Sequence, residues 1–310
     1  MAYFDVWKTD HLRPKVGPDV RVERIAIPSR DPGRTITAYL YIPVDIDLKH
    51  KQPVHVNVHG SGFTIKAFFG NSRYFCYLLA SRLKCIVIDT DYRKAPEYPF
   101  PFPIRDVEDC FAWVFAQPQR FDTTRVTTSG FSAGGNLTMS AASELGPEKI
   151  KAIITFYPPF DATTPGAFRG LRATPEKEFR SGVHLISWVF STFFFSYISP
   201  RASRADPRIS VAKLPLTCWP NHMLIVCGRA DVMFLDSQDF YNKIQAEGSA
   251  EQRLCSRFIG VPGEAHAFDE QPNCPESIKW RDTTYEAAIE TIRAAWTQEL
   301  GPKAVAEARE

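Results

Sequence analysis

A chain of 310 residues with 44% hydrophobic and 23% charged residues is long enough to bury a full core and too apolar to be disordered. Its 37 basic and 35 acidic residues leave a formal net charge of +2, which excludes an electrostatic case for nucleic acid or an anionic membrane and points to a small, roughly neutral ligand. The seven cysteines (Cys76, Cys85, Cys110, Cys218, Cys227, Cys255 and Cys274) are odd in number, scattered and without C-x-x-C spacing, so free thiols in a reducing, cytoplasmic compartment are expected and no metal site is.

Met1 to Lys8 carry an acid and a base early and no apolar run before a small-residue cleavage site, so no secretory signal is read. The core is expected to begin at residue 21. Arg21 to Ile27 and Thr35 to Ile42 alternate in the manner of strands around the turn signal Ser29-Arg30-Asp31-Pro32-Gly33, which predicts an antiparallel edge hairpin. Val54 to Val58 and Cys85 to Asp89 are short apolar runs of the kind buried in parallel sheets. Helical spacing covers Asn71 to Leu83 and Ile104 to Gln117. A strand ending at Gly130, a helix from Ala133 to about Leu145 and a strand from Ala152 to Tyr157 follow, and the alternation predicts a mostly parallel sheet covered by helices on both faces.

The pattern breaks between Pro158 and Pro220, a stretch rich in Pro, Arg, Ser and aromatics and too long for a plain connection. Residues 159–220 read as an inserted cap with helical pieces at Glu176 to Arg180 and Leu185 to Ile198; the latter falls short of the roughly twenty apolar residues of a membrane span. The core, taken as 21–158 and 221–310, resumes with a strand from Met223 to Cys227, a helix from Ser237 to Glu247, a strand from Arg253 to Ile259, a helix from Pro275 to Leu300 and a frayed tail.

Gly130-Phe131-Ser132-Ala133-Gly134-Gly135 stands where a strand must turn sharply into a helix. Small residues on both sides of a serine fit such a corner, which pushes the hydroxyl out at the top of a sheet; this is the G-x-S-x-G pattern. A serine needs a base and the base an orienting acid. Of the seven histidines (His11, His50, His55, His59, His184, His222 and His266), His266 lies in a loop after the last strand, from which an imidazole can reach over the sheet. His59 stands at the correct end of the sheet too, but its glycine-rich setting suggests that it shapes backbone. Asp231, just past the strand Met223 to Cys227, is the expected acid, with Asp236 as its competitor at a helix start. His59-Gly60-Ser61-Gly62-Phe63 follows a strand where an oxyanion loop belongs, with the N–H groups of Ser61, Gly62 and Ala133 as expected donors.

These stretches, together with Asp91-Tyr92-Arg93-Lys94-Ala95-Pro96-Glu97-Tyr98-Pro99-Phe100-Pro101 and His266-Ala267-Phe268, resemble the hormone-sensitive lipase family of α/β-hydrolases from about residue 50 to 270. The resemblance implies the α/β-hydrolase fold, a helical cap built from the N-terminal segment (residues 1–20) plus the insertion at 159–220, and a cofactor-independent carboxylesterase whose triad and oxyanion positions fall on Ser132, Asp231, His266, Ser61, Gly62 and Ala133. It also makes a homodimer plausible. In the Asp91 to Pro101 stretch, Arg93 and Glu97 read as braces. Ser61 stands where the family usually has glycine, and Phe131 where it commonly has an acid. Phe63, Phe131, Trp188 and Phe193 are the candidate lining of an apolar pocket. The expected substrate is a small or medium apolar carboxylic ester. A thioesterase, lactonase or acyltransferase on the same triad, and a non-catalytic receptor on the same fold, are the alternatives; His266 argues against the receptor.

Overall fold

The computed structural model describes residues 16–163, 176, 178–183 and 187–298, without the side chains of residues 187–190. Its strands are β1 (Val20–Pro28), β2 (Thr35–Pro43), β3 (Gln52–Val58), β4 (Ile86–Thr90), β5 (Phe121–Phe131), β6 (Ile150–Phe156), β7 (His222–Gly228) and β8 (Arg257–Val261). They form one sheet in the order β1-β2-β4-β3-β5-β6-β7-β8. β1 and β2 are the expected antiparallel hairpin, β2 meets β4 antiparallel, and every pairing from β4 to β8 is parallel.

The helices are α1 (Arg73–Leu83), α2 (Phe102–Phe115), α3 (Ala133–Ser143), α4 (Ser187–Tyr197), α5 (Phe234–Glu247), α6 (Ala250–Cys255) and α7 (Pro275–Thr297). Side-chain alternation assigns them to faces. His55 meets Phe75 of α1, whereas Thr128 lies against Thr138 of α3, so odd positions of β3 and β5 face α1 and even positions of β5 face α3. α1 packs beside α7 on the first face and α2 beside α3 on the second. Buried on both faces, β3 and β4 can be almost wholly apolar or internally hydrogen-bonded, and they are.

Chain order places the site. β4 lies on one side of β3 and β5 on the other, so the crossover from β3 to β4 and the next from β4 to β5 run in opposite directions, and loops at the carboxyl ends of β3 and β5 part to leave a crevice. The loop after β3 and the turn after β5 meet there: a Cβ built on Gly60 would come within 3.3 Å of Ser132 Cβ.

Two expectations are corrected. Arg253 to Cys255 is not strand. Ser249 Oγ accepts from Gln252 N–H at 3.1 Å while Gln252 Oε1 accepts from Ser249 N–H at 3.1 Å, a capping box that starts α6, and the strand begins only at Arg257. Residues 178–180 are not helical. Instead Ser181 and Val183 bridge Glu264 and His266, because the segment finds backbone partners in the loop after β8. α4 lies within the expected helix Leu185 to Ile198, and the first fifteen residues, His11 among them, lie outside the described residues, as does His184.

Candidate active site

Ser132 sits between β5 and α3 with φ 50° and ψ −122°, a strained conformation for a residue with a side chain. The glycines explain how the turn fits. A Cβ on Gly134 would overlap the carbonyl oxygens of Val58 and His59, and one on Gly130 would overlap the Gly134 carbonyl. The Ser132 N–H donates to the Phe156 carbonyl at 2.8 Å, tying the corner to β6.

His266 is brought over this corner by the loop after β8. Its N–H-bearing ring lies with Nε2 at 2.9 Å from Ser132 Oγ and Nδ1 at 2.8 Å from Asp231 Oδ2. The loop is held on three sides. Ala265 N–H donates to the Ser181 carbonyl, Val183 N–H to the His266 carbonyl, and Ala230 N–H to the Glu264 carbonyl. Asp231 is fully buried just past β7, and its Oδ1 accepts from Met233 N–H at 2.9 Å, leaving Oδ2 for the imidazole. Asp236, the competing acid, lies in the first turn of α5. The sequence-predicted Ser132, His266 and Asp231 are thus joined in one hydrogen-bonded line.

Among the described residues, no hydrogen-bond acceptor takes the N–H of Ser61, Gly62 or Ala133. Ala133 opens α3, where first-turn N–H groups have no helical partner. Gly62 adopts φ +53°, and Phe63 follows at φ +63°. The side chain of Ser61 turns away to Tyr92, whose hydroxyl lies 2.7 Å from Ser61 Oγ and donates to the His59 carbonyl at 2.9 Å.

A polar cluster under this loop escaped the sequence reading. Buried Lys94 donates to Asp91 Oδ1 at 2.7 Å and the Tyr92 carbonyl at 2.6 Å, and His59 places Nε2 3.2 Å from the same Asp91 oxygen. Burial, then the Lys94 charge, holds His59 below its usual range. Burial pushes the Asp91 carboxyl up, but the His59 hydrogen bond and the Lys94 charge outweigh it and hold the group well below the usual carboxylate range. The available signal was positional: the Asp91 stretch leaves β4 at the end where the His59 loop leaves its neighbour β3. Arg93 does brace the stretch, with Nη2 2.8 Å and Nε 3.1 Å from Asp106 Oδ1, whereas Glu97 forms an exposed pair with Lys66.

The aromatic candidates part company. Phe131 is 1% exposed, stacked on Phe156 with centroids 4.5 Å apart, and faces α1 because strand alternation puts it there; it is core and not a pocket wall. Phe63 is buried against Tyr197, with centroids 3.9 Å apart. Phe193 of α4 is half-buried and crosses Gly62 so closely that a Cβ there would fall 2.7 Å from its ring. The side chain of Trp188 lies outside the described residues.

A family model described as alpha/beta hydrolase fold matches residues 55–270, which include every residue placed above. The chain belongs to the alpha/beta hydrolase family. The match agrees with the motif resemblance to the hormone-sensitive lipase and carboxylesterase branch of that family. The chain is 28% identical to probable carboxylesterase 13 of Arabidopsis thaliana over 271 residues, 76% of this chain and 78% of that protein. It is 32% identical to tuliposide A-converting enzyme 2, chloroplastic, of Tulipa gesneriana over 161 residues; that match takes in 48% of this chain and only 41% of the tulip protein's length. In structure it is similar to a hyperthermophilic esterase from Pyrobaculum calidifontis, with TM-score 0.71, 23% identity, and 91% of this chain and 87% of that one covered; this supports the fold. Among the described residues, no helix is long and apolar enough to cross a membrane and no group of His, Cys, Asp and Glu side chains could hold a metal.

Proposed function

We propose that the protein hydrolyses small or medium apolar carboxylic esters through an acyl-serine intermediate. The observation that carries this reading is the line Ser132 Oγ, His266 Nε2, His266 Nδ1, Asp231 Oδ2, with both links below 3 Å. His266 takes the Ser132 proton as Oγ attacks the ester carbonyl, and Asp231 holds the ring and stabilises the imidazolium. The N–H groups of Ser61, Gly62 and Ala133 receive the oxyanion; a single such donor is worth on the order of a hundred- to a thousandfold in rate. The imidazolium returns its proton to the alcohol, which leaves, and a water activated by the same ring releases the acid.

The apolar choice rests on the oxyanion loop's surroundings. Phe193 lays an aromatic ring across Gly62, an apolar neighbour for the group that an ester would place at these donors. The seven cysteines, all free thiols, support a reducing compartment. The test is turnover of p-nitrophenyl esters of rising acyl length by the wild-type chain and Ser132→Ala. A fall of at least about a thousandfold in kcat with native circular dichroism is expected; wild-type turnover in the variant would reject the reading.

A further inference from the structure

A second carboxylate stands behind His266 that the Ser132–His266–Asp231 line does not use. Asp269 is 2% exposed, and its oxygens are divided between two phenols: Tyr157 donates to Oδ1 at 2.6 Å and Tyr285 of α7 donates to Oδ2 at 2.7 Å. Neither donor carries a positive charge. No arginine or lysine pairs with Asp269 among the described residues, so the group is a buried carboxylate without a resident counter-ion, an arrangement that costs free energy in the resting protein.

Tyr157 links this group to the chemistry. It follows β6 directly, adopts φ +42°, and donates its N–H to the Val226 carbonyl. That strained backbone turns its ring onto the imidazole, with centroids 4.6 Å apart. Its hydroxyl then reaches Asp269, three residues beyond His266 on the same loop. Burial pushes the Asp269 carboxyl up and outweighs the two phenolic hydroxyls that act the other way; a positive charge on His266 also acts to lower it, so charge on His266 and charge on Asp269 favour one another.

Resting on the serine-hydrolase reading, we infer that Asp269 is a positioning residue: with Tyr157 and Tyr285 it forms a reserve of negative charge that stabilises the imidazolium when His266 takes the Ser132 proton. Asp231 anchors the tautomer through Nδ1. Asp269 acts through space, and its cost is relieved only when the ring becomes charged, which makes it a contribution to the transition state. The other ionisable groups around His266 have their own engagements. Glu264 on the same loop is bonded to Ser277 and Arg180, and Glu270, next to Asp269, hydrogen-bonds Ser72 at 3.5 Å and acts on the phenols of Tyr157 and Tyr285.

The experiment is the rate of inactivation of the full chain by a p-nitrophenyl alkylphosphonate, followed against pH for wild type, Asp269→Asn and Tyr285→Phe. Loss of a nearby negative charge makes the imidazolium harder to form. For Asp269→Asn the acid limb is expected to move down by roughly 0.5–1 unit, with a plateau rate about three- to tenfold lower. Tyr285→Phe leaves Tyr157 and its ring contact with His266 in place and weakens the support of the carboxylate, so it should move the limb the same way by less. If Asp269→Asn does not fold, Tyr285→Phe decides: a moved limb supports the assignment. An unmoved limb in a folded variant, even with a lower Tm, overturns it. A wild-type chain that labels at no pH overturns the serine-hydrolase reading and this assignment with it.

Discussion

Ser132 is held in a conformation that a residue with a side chain avoids, and the surrounding glycines are the reason it persists. Gly130 and Gly134 leave no room for a methyl group, because the carbonyls of Val58, His59 and Gly134 occupy the space. The motif was therefore legible, since steric necessity fixes residue type at fixed spacing. The roles of its neighbours were less so. Phe131 reads in sequence as a neighbour of the nucleophile, but a strand's alternation sends adjacent side chains to opposite faces, and its ring joins Phe75 and Phe156 beneath the sheet. Ser61 reads as an intruder in a glycine loop, yet its hydroxyl is 2.7 Å from Tyr92 and leaves the backbone donor free. At this scale the two acids separate cleanly. Asp231→Ala is expected to lower kcat by about ten-thousandfold, in line with loss of the orienting carboxylate elsewhere, and Asp236→Ala by less than about tenfold; steady-state kinetics on one ester, with the larger loss at Asp236, would reverse the assignment.

The sheet carries a polar thread that no motif announces. His55 bridges Thr127 and Ser129, Ser129 donates to Asn57, and Asn57 donates to Asp89 at 2.8 Å, all buried beneath α1. Periodicity marked β3 and β4 as strands, but it could not show that their polar members pair across strands, because register is a tertiary property. The thread makes stability depend on pH. Burial pushes the Asp89 carboxyl up to about 7 from 3.8. The folded chain then holds a proton that the unfolded chain has released, so this group's contribution is full below about pH 4 and declines as pH rises toward 7. Burial lowers His55 from 6.5 to about 3, which has the opposite sign: its contribution is full above 6.5 and is lost as pH falls toward 3. Comparing wild type with Asp89→Asn cancels the His55 term. Urea unfolding at pH 5 and pH 8 should show the variant gaining roughly 1–3 kcal/mol relative to wild type at the higher pH. A difference that stays constant with pH would show that Asp89 does not titrate in the fold.

Across the whole molecule, the order of strands and helices and the identity of the family were readable from the string, because both follow from alternation of apolar runs and from rigid turn chemistry. What was not readable depends on long-range meeting. The segment Ser181 to Val183 pairs with the loop carrying His266, and α4 lays Phe193 on Gly62, so the described part of the region between β6 and β7 touches both the base and the oxyanion loop. Neither contact leaves a local signature. The α6 helix was missed for a different reason: Arg253 to Cys255 are short of a full turn by themselves, and only the cap at Ser249 shows that they continue a helix. These contacts converge on a single nucleophile, and its reactivity is the central claim. The most direct measurement is mass mapping of the chain after brief exposure to a p-nitrophenyl alkylphosphonate at neutral pH. One adduct on the peptide containing Ser132, lost in His266→Ala, is the expected result; no adduct, or one on another residue with Ser132 unmodified, would contradict it.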